Sequence, residues 1–164
     1  MLDELSVKTI ALGDLLTQQD LSTEAIALFK TDTDGADAFI IEEVLNLGFK
    51  DTILFFECDP AHTVGDAIGQ LKWQNAFISM CRNGYSFIVF DNFGLPFAFL
   101  ERDVNIGIFD CTDYILNQYQ LQHVHVHYLD IWAFPQNRER IFCEVCSAYR
   151  GQNLRKYLER ESPR

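Results

Sequence analysis

The sequence predicts a mixed α/β or α+β fold, and three observations carry this prediction. Apolar runs of strand length, such as 52–56 and 87–90, are bounded by turn residues. Other segments space their apolar residues for one face of a helix, as at 64–80. With 164 residues, of which 48% are hydrophobic, the chain can bury one core without metal or disulfide support.

The most distinct local pattern is a strand, a tight turn and a second strand in the middle of the chain. The apolar run 87–90 is followed by 91–94, whose Asp, Asn and Gly favour a turn. The second run, 95–100, carries Pro96 near its start, where a missing N–H is least costly. The charged residues 101–103 then end the run, which predicts a hairpin that leads into a helix.

The remaining elements follow from the same criteria. Before the hairpin, the sequence predicts a helix at 25–29, strands at 38–41 and 52–56, and a helix at 64–80. After it, the sequence predicts a helix that begins near 111, strands at 121–130 and 140–146 joined by a loop at 132–137, and a terminal helix at 153–161. The C-terminal part is therefore expected to form a β-hairpin and a helix.

Two parts of the chain also resemble each other. Residues 23–30 align with 65–72, and 38–41 align with 86–89, in the same order. The sequence therefore predicts two pseudo-repeated βαββ-like halves packed together, because one such unit cannot bury its own apolar faces. Within a single compact domain of 1–164, the predicted subdivision is 7–60, 61–118 and a C-terminal part at 119–164.

The second half places Asp91 and Gly94 between its strands and Glu101-Arg102-Asp103-Val104 after them. It begins with Thr63-Val64-Gly65-Asp66-Ala67-Ile68, and Ser22-Thr23-Glu24-Ala25-Ile26 has a similar pattern in the first half. This arrangement resembles a CBS domain, over about residues 7–118. It is most specific over 87–104.

The resemblance implies a function as well as a fold. In that family two copies pair, and the cleft between them binds adenosine-type nucleotides and regulates an attached partner. The chain would then be a non-enzymatic regulatory module with an adenosine nucleotide as its ligand. Asp103 in the second copy and Asp59 in the first would hold ribose hydroxyls, because a carboxylate accepts both hydroxyl hydrogens of a diol. Arg102 belongs to the same ending and completes this expected site.

The charge of the chain is strongly acidic and uneven. The net charge is −11, which argues against a general nucleic-acid-binding surface. Residues 147–164 hold five basic and two acidic residues, a balance of +3, so the first 146 residues carry −14. The basic tail is expected to form a solvated helix, or to dock on its own body or on the second subunit of a homodimer.

An acidic body of this kind permits a basic partner. The main alternative to a nucleotide sensor is therefore an inhibitor or immunity-type protein that covers a basic enzyme surface. Trp132 and Phe134 lie beside Pro135 in the predicted loop and are candidates for an exposed anchor. Trp is enriched among the residues that dominate binding energy at interfaces.

Three histidines alternate in the predicted strand 121–130. His123, His125 and His127 would share one face of that strand and could bind one metal ion. A further ligand would be needed, such as His62 or Asp130. The alternatives are a pH-sensitive patch and an exposed strand face without a metal.

Catalysis, secretion and membrane insertion have no support in the sequence. The chain lacks a nucleophile elbow and a glycine-rich phosphate loop. Its five cysteines show no disulfide framework and its N-terminus is acidic, which predicts a cytoplasmic protein with reduced thiols. No apolar run approaches the roughly 18–20 residues that span a bilayer. Neither a membrane nor a nucleic acid is an expected partner.

Overall fold

The computed structural model of the protein describes residues 9–33, 35–60, 67–122 and 126–161. Its helices are α1 (Leu12–Gln18), α2 (Asp37–Asn46), α3 (Ala67–Arg82), α4 (Ile108–Gln120) and α5 (Glu139–Glu161). Its strands are β1 (Leu28–Thr31), β2 (Ile53–Cys58), β3 (Ser86–Asp91), β4 (Pro96–Leu100) and β5 (Leu129–Phe134). Short 3₁₀ segments lie at Thr23–Ala25, Arg102–Gly107 and Gln136–Arg138. The fold is therefore mixed α and β, as predicted.

All five strands form one sheet in the order β1-β2-β5-β3-β4. β1 and β2 are parallel, and α2 connects them. β5 lies between β2 and β3 and is antiparallel to both, and β4 is antiparallel to β3. Strands from all three predicted subdivisions therefore share one sheet.

The β3–β4 turn forms as its sequence predicts. One carboxylate oxygen of Asp91 accepts hydrogen bonds from the backbone N–H groups of Phe93 and Leu95, both at 2.9 Å. Gly94 has a φ of +73°, a left-handed backbone conformation that is costly for any residue with a side chain. The prediction of strand, turn and strand over 87–100 is confirmed.

The main core lies on the sheet face covered by α2, α3 and α4. β2 alternates partly exposed and buried residues, and its buried set includes Leu54, Phe56 and Cys58. The Phe56 ring stacks on Trp73 of α3, and Trp73 stacks on Phe77, with both centroid distances at 5.5 Å. Aromatic contacts thus join the central sheet to α3.

Helix α5 packs on the opposite face. A second apolar cluster joins it to β3 and β5 through the buried residues Ile88, Phe90, Phe134, Phe142 and Cys146. On the β1 and β2 side of the same face, Leu28 is exposed and Phe55 is partly exposed. The two faces of the sheet are therefore covered unequally.

The predicted C-terminal hairpin is wrong. Residues 140–146 form the start of α5, and the strand of this region is Leu129–Phe134, part of which was predicted as a loop. Phe142, Cys146 and Tyr149 contact the sheet at helical spacing, and this packing selects a helix over a strand. The predicted terminal helix at 153–161 is confirmed as the end of α5.

Two predictions in the first half are also wrong. The segment 25–29, predicted as a helix, ends the 3₁₀ segment and enters β1, while 38–41, predicted as a strand, lies in α2. Ala38, Ile41 and Val44 are buried at spacings of three residues, which brings one face of α2 onto the core. The segments 38–41 and 86–89 therefore adopt different structures, so the alignment that predicted a repeat does not match equivalent elements.

Candidate functional site

The unequal covering of the sheet exposes a mixed apolar and charged surface on β1, β2 and β5. We call it the acidic–aromatic face. It consists of Leu28, Lys30, Ile53, Phe55, Glu57, Asp130 and Trp132. Strand alternation sends these side chains to the side of the sheet that carries α5, while their sequence neighbours enter the main core.

Two aromatic rings form the apolar part of this face. Phe55 and Trp132 are opposite each other in the β2–β5 register, and their rings stack with centroids 4.7 Å apart. The Lys30 ammonium lies 5.4 Å from the Phe55 centroid. Both rings remain partly exposed. The surface thus presents a rigid aromatic pair, of the kind that supplies contact area at low entropic cost.

Two carboxylates form the acidic part, at the next pair of residues on the same face of these strands. Glu57 is opposite Asp130 in the β2–β5 register. Burial, together with the charges of Asp32, Asp37, Asp59 and Asp130, raises the pKa of Glu57 to about 7. Burial and the Asp32 charge also raise the pKa of Asp130. Like charges directly opposite in a sheet are destabilising, so this pair is electrostatically unfavourable in the isolated protein.

More carboxylates surround this pair at the carboxyl ends of β1 and β2. Asp32 is exposed and forms an ion pair with Lys30 at 3.0 Å. Asp37, at the start of α2, is buried, and its Oδ2 accepts hydrogen bonds from the N–H and hydroxyl of Thr33. Its Oδ1 is buried and has no hydrogen-bond partner among the residues that the structure describes. This end of the sheet therefore has a local excess of negative charge.

The two predicted ribose-binding carboxylates lie at opposite ends of the sheet. Asp59 follows β2 and is 8% exposed. Asp103 follows β4 and its side chain is 90% exposed. In the register, Cys58 at the end of β2 pairs with the start of β5, whereas Leu100 at the end of β4 pairs with the start of β3. The structure does not bring the two residues into one groove.

Arg102 stays with Asp103. Its Nε lies 3.5 Å from an Asp103 carboxylate oxygen, and both side chains are exposed. The stem of Arg102 passes next to Gly84, where an added Cβ would lie 3.2 Å from Arg102 Cδ. This contact puts Arg102 near the α3–β3 turn rather than near Asp59.

A cleft of about 620 Å³ opens at the end of the sheet where Arg102 and Asp103 lie. It lies between the ends of α2 and α3 and the start of α5, and Lys50, Asp51, Ser79, Asn83, Tyr85, Gln136, Asn137 and Glu139 are its polar lining residues. The Tyr85 hydroxyl donates to the Phe49 carbonyl at 3.2 Å, and burial raises the pKa of Tyr85 to about 12. Tyr85 is therefore a neutral hydrogen-bond donor in the cleft wall.

Of the three predicted histidine ligands, only His127 lies within the described residues. His123 and His125 lie outside the described residues, and His127 is exposed in a segment without regular secondary structure. The His127 backbone N–H donates to the Asn92 side chain at 3.2 Å. Within the described ranges, no group of three His, Cys, Asp or Glu side chains is arranged to hold a metal ion. All five cysteines are free thiols.

The two predicted anchor residues have different positions. Trp132 lies on the acidic–aromatic face, but Phe134 is 2% exposed and packs against Phe142 of α5. The expectation that both form one exposed anchor is therefore wrong for Phe134. Sequence reasoning also missed Phe55, Glu57 and the pairing of Glu57 with Asp130. Alternation within each strand marks these residues as sharing a face, but only the register shows which ones meet.

Comparison with protein-family models, curated proteins and solved structures finds no match. None of the described helices has both the length and the apolar character needed to cross a membrane.

Proposed function

We infer that the protein is a non-enzymatic binding protein whose acidic–aromatic face docks an amphipathic basic helix of a partner protein. The observation that carries this inference is the placement of the opposed Glu57 and Asp130 beside the partly exposed Phe55–Trp132 stack. An aromatic centre with a charged margin is the usual anatomy of a protein interface. A protein of this kind would act as an inhibitor or regulator by covering a basic surface.

The dimensions of the sheet favour a helix as the docked element. Five strands spaced about 4.8 Å apart give a face roughly 20 Å wide, and a helix is about 10 Å across. Helix α5 packs on β3 and β5, so room for one more helix remains over β1 and β2. The apolar stripe of that helix would contact Phe55 and Trp132.

The charges specify the chemistry of the partner. The Glu57–Asp130 pair and Asp32 lie at one end of the acidic–aromatic face, and Lys30 is already paired with Asp32. Lys or Arg side chains at the matching end of the docked helix would remove the repulsion between the two carboxylates. Acidic residues there would increase it, so the surface selects a basic partner.

A synthetic amphipathic peptide of leucine and lysine provides a direct test, with affinity measured by isothermal titration calorimetry. We expect salt-sensitive binding, because exposed charges are screened within about 8 Å at physiological ionic strength. Trp132→Ala should weaken binding at least tenfold through loss of the aromatic contact. The double variant Glu57→Gln with Asp130→Asn should weaken it and flatten its dependence on salt.

Matched control variants distinguish binding at the acidic–aromatic face from a general attraction of the peptide to an acidic protein. Asp103→Asn changes the net charge at the other end of the sheet, and Leu21→Ala removes an exposed apolar side chain in the segment before β1. Both should bind the peptide like the unmodified protein. Equal weakening by Asp103→Asn and Glu57→Gln, or no binding of the peptide at low salt, would rule out docking at this face.

A further inference from the structure

The opposite edge of the sheet carries a concentrated set of exposed apolar side chains around one strand. β4 is an edge strand, paired only with β3 among the described strands. Phe93 and Leu95 in the preceding turn are 68% and 61% exposed, and Phe97 within β4 is also exposed. The Phe97 ring lies 5.4 Å from that of Tyr114 on α4, which is exposed as well. Val104 and Ile106 extend the exposed apolar surface beyond the end of β4. We call these six residues the β4-edge patch.

The backbone of β4 indicates what kind of element fits there. Successive residues of a strand direct their N–H and C=O groups to alternate sides, so the outer row of β4 can pair with another strand. Soluble proteins usually protect such an edge with charged side chains, prolines or bulges. The segment Pro96–Leu100 contains no charged residue. Its protection is limited to Pro96 and to a bulge at Phe97, the residue that the β3–β4 register skips, both at the start of the strand.

We propose that two copies of this chain pair antiparallel through β4 and form a two-fold symmetric dimer with a continuous sheet. The residues 98–100, beyond the bulge, form the regular part of β4 that can pair, and Phe97 of each copy lies at the margin of the paired segment. No charged residue of the strand then meets a like charge, and the same patch serves both copies, as a two-fold interface requires.

The exposed area is sufficient for such an interface. At the exposed fractions of the six patch residues, each offers on the order of 100 Å². Covering all six on both copies would bury roughly 1,200 Å², which is the lower limit for a specific interface. Backbone hydrogen bonds between the two β4 strands add to this apolar contribution.

The dimer should respond to salt in the opposite direction from the docking of a basic helix. Each copy has a net charge of −11, and Glu101, Asp103, Asp110 and Asp113 follow β4 in the chain. Two such bodies repel, and salt screens the repulsion. Dimerisation should therefore become tighter as salt is raised, whereas the basic peptide should dissociate. The opposite salt dependences therefore distinguish dimerisation through β4 from docking of a basic helix on the acidic–aromatic face.

Sedimentation velocity on the full chain at micromolar concentration tests the proposal. The unmodified protein should be a dimer, and Phe97→Lys should weaken dimerisation at least tenfold by placing a charged side chain within the apolar interface. Leu95→Lys, in the exposed turn, provides a second variant in case Phe97→Lys impairs folding. Circular dichroism and thermal melting establish that each variant is folded.

Leu21→Lys is the matched control, because it introduces the same charge at an exposed leucine outside the patch. It should leave the dimer intact. A monomer at all salt concentrations would overturn the proposal, and so would a dimer that resists both patch variants. A dimer that Leu21→Lys dissociates as strongly as Phe97→Lys would overturn it as well, since the interface would then not be β4.

Discussion

Glu57 and Asp130 are opposite each other on neighbouring antiparallel strands, with the Phe55–Trp132 stack as the next pair on the same face. Both carboxylates have a raised pKa, for which burial is the largest cause and neighbouring carboxylates the next. In the isolated protein this pair therefore works against stability at neutral pH. A basic partner would turn the same arrangement into a favourable contact, which links stability and binding at one site.

The first prediction concerns the pH dependence of stability. The pKa of Glu57 is raised from its ordinary value of 4.5 to about 7 in the folded protein. Between these values the folded protein retains a proton that the unfolded chain has released. The contribution of Glu57 to the free energy of unfolding therefore falls as pH rises through that window. The full loss of stability is present above about pH 7.

Glu57→Gln removes this penalty, because glutamine does not ionise. We expect the variant to match the unmodified protein near pH 4.5. At pH 8 it should be more stable by about 1–2 kcal/mol, after allowance for solvent screening. The melting temperature at pH 8 should then rise by roughly 2–8 °C. Asp103→Asn, at an exposed carboxylate, should show little change at either pH. A stabilisation that is equal at both pH values would contradict the assigned cause.

The second prediction concerns proton release on binding. A lysine or arginine beside Glu57 favours the ionised carboxylate, so the basic peptide must displace the proton that Glu57 holds below about pH 7. Affinity should increase from pH 5.5 to pH 8 by at most about thirtyfold, the limit for one proton and this pKa. Calorimetry in buffers of different ionisation enthalpy measures the released proton directly. In Glu57→Gln both the pH dependence and most of the proton release should be lost, whereas Asp103→Asn should retain them.

The parts of the fold that follow from the sequence are those that local chemistry determines. The hairpin of β3 and β4 is specified by two apolar runs and by a turn in which Asp91 binds the backbone and Gly94 adopts a positive φ. Strand β2 is specified by its own apolar run and its flanking turn residues. None of this information requires a partner that is distant in sequence.

The wrong predictions all concern segments whose structure depends on distant packing. Residues 38–41 are apolar over only four positions, and a run that short fits a helix or a strand equally well. Contact with α3 and the core selects the helix α2. Residues 140–146 are a short, mainly apolar run that fits a strand, yet their contact with Phe90 and Phe134 selects α5. The Glu57–Asp130 pair could not be predicted for the same reason, because it depends on the register of two strands far apart in the chain.

The third prediction concerns Asn105, which joins the segment after β4 to the junction of α3 and β3. Its side-chain amide is buried and donates to the carbonyl oxygens of Cys81 at 3.2 Å and Tyr85 at 2.8 Å. The Cys81 thiol in turn donates to the Asn105 carbonyl at 3.6 Å. Through these two hydrogen bonds, the Asn105 amide attaches the 3₁₀ segment Arg102–Gly107 to the end of α3 and the start of β3.

Asn105→Ala should destabilise the protein by about 2–3 kcal/mol, because both hydrogen bonds are lost and the buried Tyr85 carbonyl oxygen loses this donor, although the Cys81 carbonyl keeps the Gly84 N–H. The melting temperature should fall by roughly 4–12 °C. Asn105→Asp should be at least as harmful near neutral pH, since a carboxylate would face two carbonyl oxygens without a proton to donate. Asn117→Ala is the control, because Asn117 is exposed on α4 and alanine has the higher helix propensity. Its melting temperature should stay level or rise slightly. If Asn105→Ala has the same melting temperature as Asn117→Ala, the Asn105 amide does not hold this segment in place.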